Sequence, residues 1–91
     1  MKHKTDANQK DIVFALRQVG ATVHDLSGAG AGCPDLLVGK NGVTYLLEIK
    51  NPDTKGKLNT LQEKWHAEWR GQVAVVRTVE EALEVIGVDY D

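Results

Sequence analysis

The stretch that decides the fold is DLLVGKNGVTYLLEIK, residues 35–50. It holds two apolar runs separated by Asn41-Gly42, a pair that favours the tight turn of a β-hairpin. The two runs are therefore predicted to be antiparallel neighbours. A turn at Asn41-Gly42 places Asp35 opposite Glu48, and residues directly opposite each other have Cβ atoms about 4.5–5.5 Å apart.

Outward from the hairpin, the spacing of apolar residues predicts the remaining elements, and glycine, proline and capping residues mark where they begin and end. The loop at residues 27–32 is too glycine-rich for regular structure. Thr78-Val79-Glu80-Glu81 reads as a capping box that opens a last helix. The predicted elements are a helix at about 6–19, a strand at 21–26, the hairpin strands at 35–39 and 43–49, a helix at about 59–70, a strand at 72–77 and a helix at 78–86. The order α-β-β-β-α-β-α predicts an α/β fold with one mixed sheet flanked by helices.

Length and composition indicate one small folded unit. The chain has 91 residues, 42% hydrophobic and 26% charged, close to the average of globular proteins. We expect a single domain over residues 1–91. Chains of this size bury only about 60–65% of their unfolded surface, so the core is thin and homodimerisation would stabilise it.

Several classes of protein are excluded. No apolar run approaches the roughly 18–20 residues of a membrane span, and no signal-peptide core follows the amino terminus. Cys33 is the single cysteine, and the three histidines lack metal-ligand spacing, which argues against disulfide scaffolds and structural zinc. We expect a protein of a reducing cytoplasm, in a bacterial or phage-infected cell, with no membrane partner.

The net charge of −2 hides an uneven distribution. Residues 79–91 contain five acidic side chains and no lysine or arginine, so residues 1–78 carry 11 basic against 8 acidic side chains. Local potential decides where a polyanion docks, so a phosphate-binding face is compatible with this charge. Charge alone equally fits an ordinary solvated surface with an acidic tail.

The end of the hairpin concentrates chemistry. Glu48 and Lys50 point to one side of the strand, and Ile49 points to the other. Carboxylates of Asp35 and Glu48 so close together repel unless a cation lies between them, and hard oxygen ligands suit Mg²⁺ or Mn²⁺. Lys50 can then hold a water and offset charge on phosphorus. The alternative is that Asp35 caps a turn after Pro34 and that Glu48 and Lys50 form ordinary ion pairs.

These residues resemble a known family. Gly32-Cys33-Pro34-Asp35, followed by Glu48-Ile49-Lys50, resembles the signature of PD-(D/E)XK nucleases, whose core has the same element order. The resemblance is closer to the VRR-NUC branch, which has a helix start like Leu58-Asn59-Thr60-Leu61-Gln62. It also has a glycine-to-valine strand like residues 71–76 and a helix start like residues 78–81. The match extends over nearly the whole chain.

The resemblance implies roles for individual residues. Asp35, Glu48 and the main-chain carbonyl of Ile49 would bind the metal, Mg²⁺ with Mn²⁺ as a substitute. Lys50 would position the attacking water, and Gln62 would be an auxiliary polar group of the site. Gln62 has a second interpretation, because with Asn59 as N-cap it lies at N3 and closes a capping box.

The family often adds an acidic residue from the first helix, and the candidates here are Asp6 and Gln9. Asp6 has the alternative of being only an N-cap. The candidates for phosphate contacts are Lys50, Lys55 and Lys57. The loop that contains Gly30 and Gly32 is expected to move so that DNA can enter the site.

Two residue types near the site have plainer interpretations. Cys33 has no histidine at catalytic spacing and reads as a small buried residue. Trp65 and Trp69 lie on the apolar stripe of their helix, which favours core or dimer interface over base stacking.

The sequence thus predicts a metal-dependent, structure-specific DNA endonuclease of VRR-NUC type, acting on branched DNA such as Holliday junctions in repair or recombination. Resemblance to junction-resolving enzymes implies a homodimer with two sites. The rivals are a non-catalytic nucleic-acid-binding module of the same fold, a restriction-type nuclease of the superfamily, and a small structural protein.

Overall fold

The computed structural model describes residues 7–52 and 57–89. Its element order is the predicted one, α-β-β-β-α-β-α. The elements are α1 Ala7–Gln18, β1 Thr22–Asp25, β2 Leu36–Lys40, β3 Val43–Ile49, α2 Thr60–Glu68, β4 Ala74–Val76 and α3 Val79–Val85. The α/β fold class is therefore confirmed, with boundaries that differ from the predicted ones by a few residues at most.

The four strands form one mixed sheet in the order β1-β2-β3-β4. The first three are antiparallel, and β4 runs parallel to β3. In the hairpin Leu36 pairs with Leu47, so the next position along pairs Asp35 with Glu48, as the turn predicted. Asn41 and Gly42 both have positive φ, 52° and 80°, which is the backbone of a type I′ turn.

The core lies between one face of the sheet and the helices α1 and α3. Alternate residues of the strands face it, because successive side chains point to opposite sides. Its buried side chains are Ile12, Leu16, Ala21, Val23, Leu36, Val38, Leu47, Ile49, Val76, Ala82, Leu83 and Ile86. Glu48, between Leu47 and Ile49, is therefore directed to the opposite face of the sheet, where α2 lies.

Helix α2 contributes no buried residue, so of the two interpretations of its apolar stripe, core or dimer interface, the structure does not support the core. Leu61 is 59% exposed and Trp69 is 42% exposed. The rings of Trp65 and Trp69 stack on each other at 4.6 Å, and the Trp69 indole donates to the carbonyl of Gln72. The two tryptophans therefore pack on each other and remain partly exposed.

Gln72 extends the sheet with its side chain. Its amide oxygen accepts from the Leu46 amide at 2.7 Å, and its amide nitrogen donates to the Leu46 carbonyl at 3.3 Å. These are the two bonds that a backbone neighbour in a strand would make. The pairing of β3 is thereby prolonged by one residue before β4 begins.

Two local predictions are corrected. Residues 27–29 of the glycine-rich loop form a turn of 3₁₀ helix, begun by the Asp25 carboxylate, which accepts from the Ser27 amide at 2.7 Å. At the start of α3, Thr78 caps the Glu81 amide, but the Glu81 carboxylate accepts from the Arg77 amide at 2.6 Å. The reciprocal bond of a capping box is thus made one residue earlier.

Among the described residues, the helices are too short and too polar to cross a membrane.

Candidate active site

The open end of the hairpin brings two carboxyl groups together. Glu48 is 1% exposed, and the half-buried Asp35 precedes β2 directly. Asp35 is fixed at both ends: its carbonyl accepts from the Leu26 amide, and its carboxylate Oδ2 accepts from the Ile49 amide at 2.7 Å. The buried Pro34 precedes it. Asp35 therefore has its position set by two neighbouring strands.

The environment of Glu48 disfavours its charged form. Burial, followed by a hydrogen bond to the Asp35 carboxyl and repulsion from it, raises the pKa of Glu48 to about 8, although the positive charge of Lys50 lowers it in part. A carboxyl group in this setting keeps a proton or gains a cation. The predicted conflict between the two carboxylates is therefore present in the folded protein.

Lys50 is held by its backbone and by its ammonium. Its amide donates to the Val76 carbonyl at 3.0 Å, and its carbonyl accepts from the side chain of Asn8 at 2.9 Å. Asn8 also donates to the carbonyl of Arg77 at 3.2 Å, so one side chain of α1 joins the ends of β3 and β4. Lys50 Nζ donates to Gln62 Oε1 at 2.7 Å.

Gln62 both closes a capping box and contacts Lys50 and Glu48. With Asn59 it closes a capping box: Asn59 Oδ1 accepts from the Gln62 amide, and Gln62 Oε1 accepts from the Asn59 amide, each at 2.9 Å. The same side chain contacts the site, because Oε1 also accepts from Lys50 and Nε2 donates to Glu48 Oε2 at 3.1 Å. The cap holds the amide in place for Lys50 and Glu48.

His66 also lies at the site, and sequence reasoning missed it. Its Nε2 is 3.6 Å from Glu48 Oε1, and its side chain is 15% exposed. Burial lowers the pKa of His66, and the charge of Lys50 lowers it further. The signal that could have found it is its spacing of four residues from Gln62, which places both on one face of α2.

Asn8 is the second missed residue. It lies four residues before the buried Ile12, so it belongs to the face of α1 that packs on the sheet. The candidates named from this helix were Asp6, which lies outside the described residues, and Gln9. Gln9 lines a hollow of about 450 Å³ with Asp25, and in the described part of the chain no hydrogen bond joins it to Asp35 or Glu48.

The predicted DNA contacts are only partly described. Lys57 is exposed, and Lys55 lies outside the described residues. Gly30 is exposed with φ 72° and open space where a side chain would be. Gly32 has φ 82°, and a Cβ there would lie 2.6 Å from the Leu61 carbonyl carbon. Gly32 therefore allows the loop to touch the first turn of α2.

Cys33 lies close enough to the carboxyl groups of Glu48 and Asp35 for their charges to shift the pKa of its thiol. Burial raises the pKa of the Cys33 thiol, and the negative charges of Glu48 and Asp35 raise it further. A thiol whose pKa is raised is protonated at neutral pH and is a poor nucleophile. This environment agrees with the interpretation that Cys33 is a small residue without catalytic chemistry.

The donor set fits a hard divalent ion. Asp35 and Glu48 offer carboxylate oxygens, and Glu48 Oε1 is buried without a hydrogen-bond partner in the described part of the chain. Within residues 7–52 and 57–89, no three His, Cys, Asp or Glu side chains converge as a closed metal cage would require. Mg²⁺ or Mn²⁺ needs only one or two carboxylates, with waters and phosphate oxygens completing its shell.

Comparison with known proteins gives a similar solved structure. A structure of a VRR_NUC domain superposes with a TM-score of 0.66 at 30% sequence identity, and the match covers 90% of this chain and 92% of the other. No family model matches the sequence, and no curated protein matches it. The similarity therefore lies in both fold and sequence and extends over nearly the full length of the two chains.

Proposed function

This chain belongs to the VRR-NUC family of nuclease-type domains, and from that premise we propose that it is a metal-dependent DNA endonuclease that hydrolyses phosphodiester bonds. The observation that carries the proposal is the cluster at the hairpin end. Two carboxyl groups, one ammonium and one amide lie within hydrogen-bonding reach of one another along Asp35, Glu48, Gln62 and Lys50. This combination of groups suits metal-assisted in-line hydrolysis of a phosphodiester.

In this proposal Asp35, Glu48 and the main-chain carbonyl of Ile49 hold the ion. A divalent ion held there would supply positive charge to acidify a water and to offset negative charge on the phosphate in the transition state. The Asp35 carboxylate is oriented by the Ile49 amide, which brings the Ile49 peptide beside the ion-binding groups. Glu48 is oriented by Gln62 at its other oxygen.

Lys50 acts on the water and on the phosphate. Its ammonium donates to Gln62, leaving further N–H donors to orient a nucleophilic water and to offset negative charge as the phosphorus gains a fifth oxygen. Its main chain is held from two sides, by Val76 and by Asn8, so the side chain starts from a fixed point. Asn8 is thus a positioning residue for Lys50.

Shape rather than base sequence is the proposed basis of substrate choice. The basic side chains that the sequence places at and just after the end of the hairpin are few, namely Lys50, Lys55 and Lys57, and the chain has an overall negative charge. Such contacts reach phosphates, which carry no base information directly. Branched DNA such as a four-way junction is the proposed substrate.

A homodimer would present two sites to such a junction, and the candidate surface for contact between the two chains is formed by the exposed Leu61 and Trp69 of α2.

The test is a cleavage assay on labelled four-way junction, flap, splayed-arm and linear duplex DNA, with Mg²⁺, Mn²⁺ or EDTA. We expect cleavage of the junction with either ion, none in EDTA, and rates that do not change when the arm sequences are scrambled. Metal-independent binding without cleavage of any substrate would favour a non-catalytic binding module. Cleavage of linear duplex at one fixed sequence would favour a restriction-type enzyme.

A further inference from the structure

Helix α2 directs two side chains, one turn apart, at the two oxygens of one buried carboxyl group. Gln62 Nε2 lies 3.1 Å from Glu48 Oε2, and His66 Nε2 lies 3.6 Å from Glu48 Oε1. The first contact is a hydrogen bond. The second is too long to be one, because good N–H···O distances end near about 3.2 Å.

Both atoms of the longer contact lack partners. Glu48 Oε1 and His66 Nε2 are buried, and neither has a hydrogen-bond partner in the described part of the chain. Leaving a buried polar atom unsatisfied destabilises the folded state, so two such atoms facing each other need an explanation. The side chain of Glu48 is 1% exposed and that of His66 is 15% exposed, so bulk solvent does not supply the missing partner.

The distance favours a metal ion over a bridging water. Two atoms that hydrogen-bond to one water, each about 2.8 Å away and at a tetrahedral angle, lie about 4.5 Å apart. Two ligands of one transition-metal ion, each at about 2.1 Å, lie about 3.0–3.5 Å apart. The observed 3.6 Å between His66 Nε2 and Glu48 Oε1 is much nearer to the second value.

We propose that His66 Nε2 and Glu48 Oε1 are two ligands of the divalent ion at this site. In the described part of the chain His66, Glu48 and Asp35 do not converge on one point, so Asp35 would have to move toward the ion to complete the set. The proposal rests on the proposed metal-dependent function for the role of that ion. It adds a nitrogen donor to a set otherwise made of oxygens. Imidazole suits later transition ions, whereas Mg²⁺ selects oxygen, so the site discriminates against Mg²⁺ in favour of Mn²⁺ and more strongly of Co²⁺.

The direct test is pulsed electron paramagnetic resonance of the wild-type protein loaded with Mn²⁺. We expect coupling from a coordinated imidazole nitrogen, with the change in pattern that ¹⁵N-histidine labelling produces. The signal should vanish in His66→Gln and persist in His24→Gln, an exposed histidine of β1. Because the first measurement uses the wild type, it is decisive even if His66→Gln folds poorly.

A second measurement compares ions by calorimetric titration. His66→Gln should weaken Co²⁺ binding by about tenfold or more while changing Mg²⁺ binding by less than about threefold, since only the former ion gains from the nitrogen. Equal losses for both ions would overturn the proposal, because they would mean that His66 only supports the fold of the site.

The outcomes separate this proposal from the one it rests on. Mn²⁺ binding that Glu48→Gln abolishes, without nitrogen coupling in the wild type, would overturn the role of His66 and leave the metal-dependent nuclease intact. Failure of the wild type to bind any divalent ion, with or without DNA, would overturn both.

Discussion

Lys50 Nζ donates to Gln62 Oε1 at 2.7 Å, which joins the end of strand β3 to the first turn of helix α2. The same oxygen accepts from the Asn59 amide, so the helix cap and the candidate site share one atom. A change that loosens the start of α2 therefore also releases the ammonium. Substituting Asn59, the other residue of the capping box, separates the two functions of Gln62, because it weakens the cap and leaves the contacts of Gln62 with Lys50 and Glu48 in place.

We expect Gln62→Ala and Asn59→Ala to differ in activity more than in stability. Each removes one side-chain bond of the capping box and should lower the free energy of unfolding by about 1 kcal/mol, measured by urea denaturation. Only Gln62→Ala also removes the partner of Lys50 and Glu48, so it should lower kcat by about tenfold more than Asn59→Ala. Equal kcat values would mean that Gln62 acts through the helix alone.

Lys50→Ala should abolish cleavage while metal binding persists and DNA binding falls no more than the loss of one phosphate contact, because its main contribution is made in the transition state. The matched control is Lys57→Ala, an exposed lysine, which should reduce salt-sensitive DNA binding and leave turnover of bound DNA unchanged. Single-turnover cleavage and binding titrations measure the two effects. Turnover of Lys50→Ala close to that of the wild type would remove Lys50 from the mechanism.

Glu48 should make the metal-free protein less stable as the pH rises. Its folded-state pKa of about 8 lies above the ordinary 4.5, so its stabilising contribution is complete below pH 4.5 and is lost as the pH rises through 8. In EDTA, the free energy of unfolding of the wild type relative to Glu48→Gln should fall by roughly 1 kcal/mol per pH unit across this interval.

Taking the difference between wild type and Glu48→Gln matters because His66 contributes the opposite slope. Its pKa is lowered from 6.5, so its contribution to stability is lost as the pH falls below that value. Urea denaturation between pH 5 and 8.5 measures the effect, with the exposed Glu84→Gln as control. A difference that does not change with pH would refute the shifted pKa of Glu48.

Gly32→Ala should destabilise the protein more than Gly30→Ala does. Both residues have positive φ, so both substitutions carry backbone strain, but only at position 32 would the new Cβ meet the Leu61 carbonyl. We expect an additional loss of about 1–3 kcal/mol from this overlap. Equal losses would show that the loop does not depend on its contact with α2.

If α2 forms the dimer surface, Leu61→Lys should convert a dimer into a monomer without unfolding it. Leu61 is 59% exposed, so the substitution removes little from the core of one chain. Phe14→Lys, on the equally exposed position of α1, is the control. Light scattering should report about twice the chain mass of 10.0 kDa for the wild type and the control. A monomeric wild type would exclude this surface.

The hairpin was predictable because its information is local. Asn41-Gly42 fixes the turn, and the turn fixes the register that places Asp35 against Glu48. Helix α2 was predicted from its periodicity, but its burial was not, because periodicity shows that apolar residues share a face and does not show what covers that face. Leu61 and Trp69 follow helical spacing and remain largely in solvent.

The site divides in the same way. Asp35, Glu48 and Lys50 lie on two adjacent strands, so alternation and register suffice to place them together. Asn8 and His66 belong to helices whose positions relative to the hairpin depend on tertiary packing. The spacing of these residues along the chain does not predict that packing, so their presence at the site could not be predicted. Asp6 and Gln9, the predicted candidates, belong to the same amino-terminal region as Asn8, and it is the Asn8 side chain that donates to the carbonyl of Lys50 just after β3.

The amide of Gln72 has a consequence for how this protein behaves at high concentration. Strand β4 covers only the last three residues of β3, and the Gln72 side chain occupies the next backbone pair, at Leu46. Unpaired strand edges are templates on which another chain adds its own strand. By satisfying one more pair without adding strand, Gln72 shortens the length of β3 on which aggregation could begin.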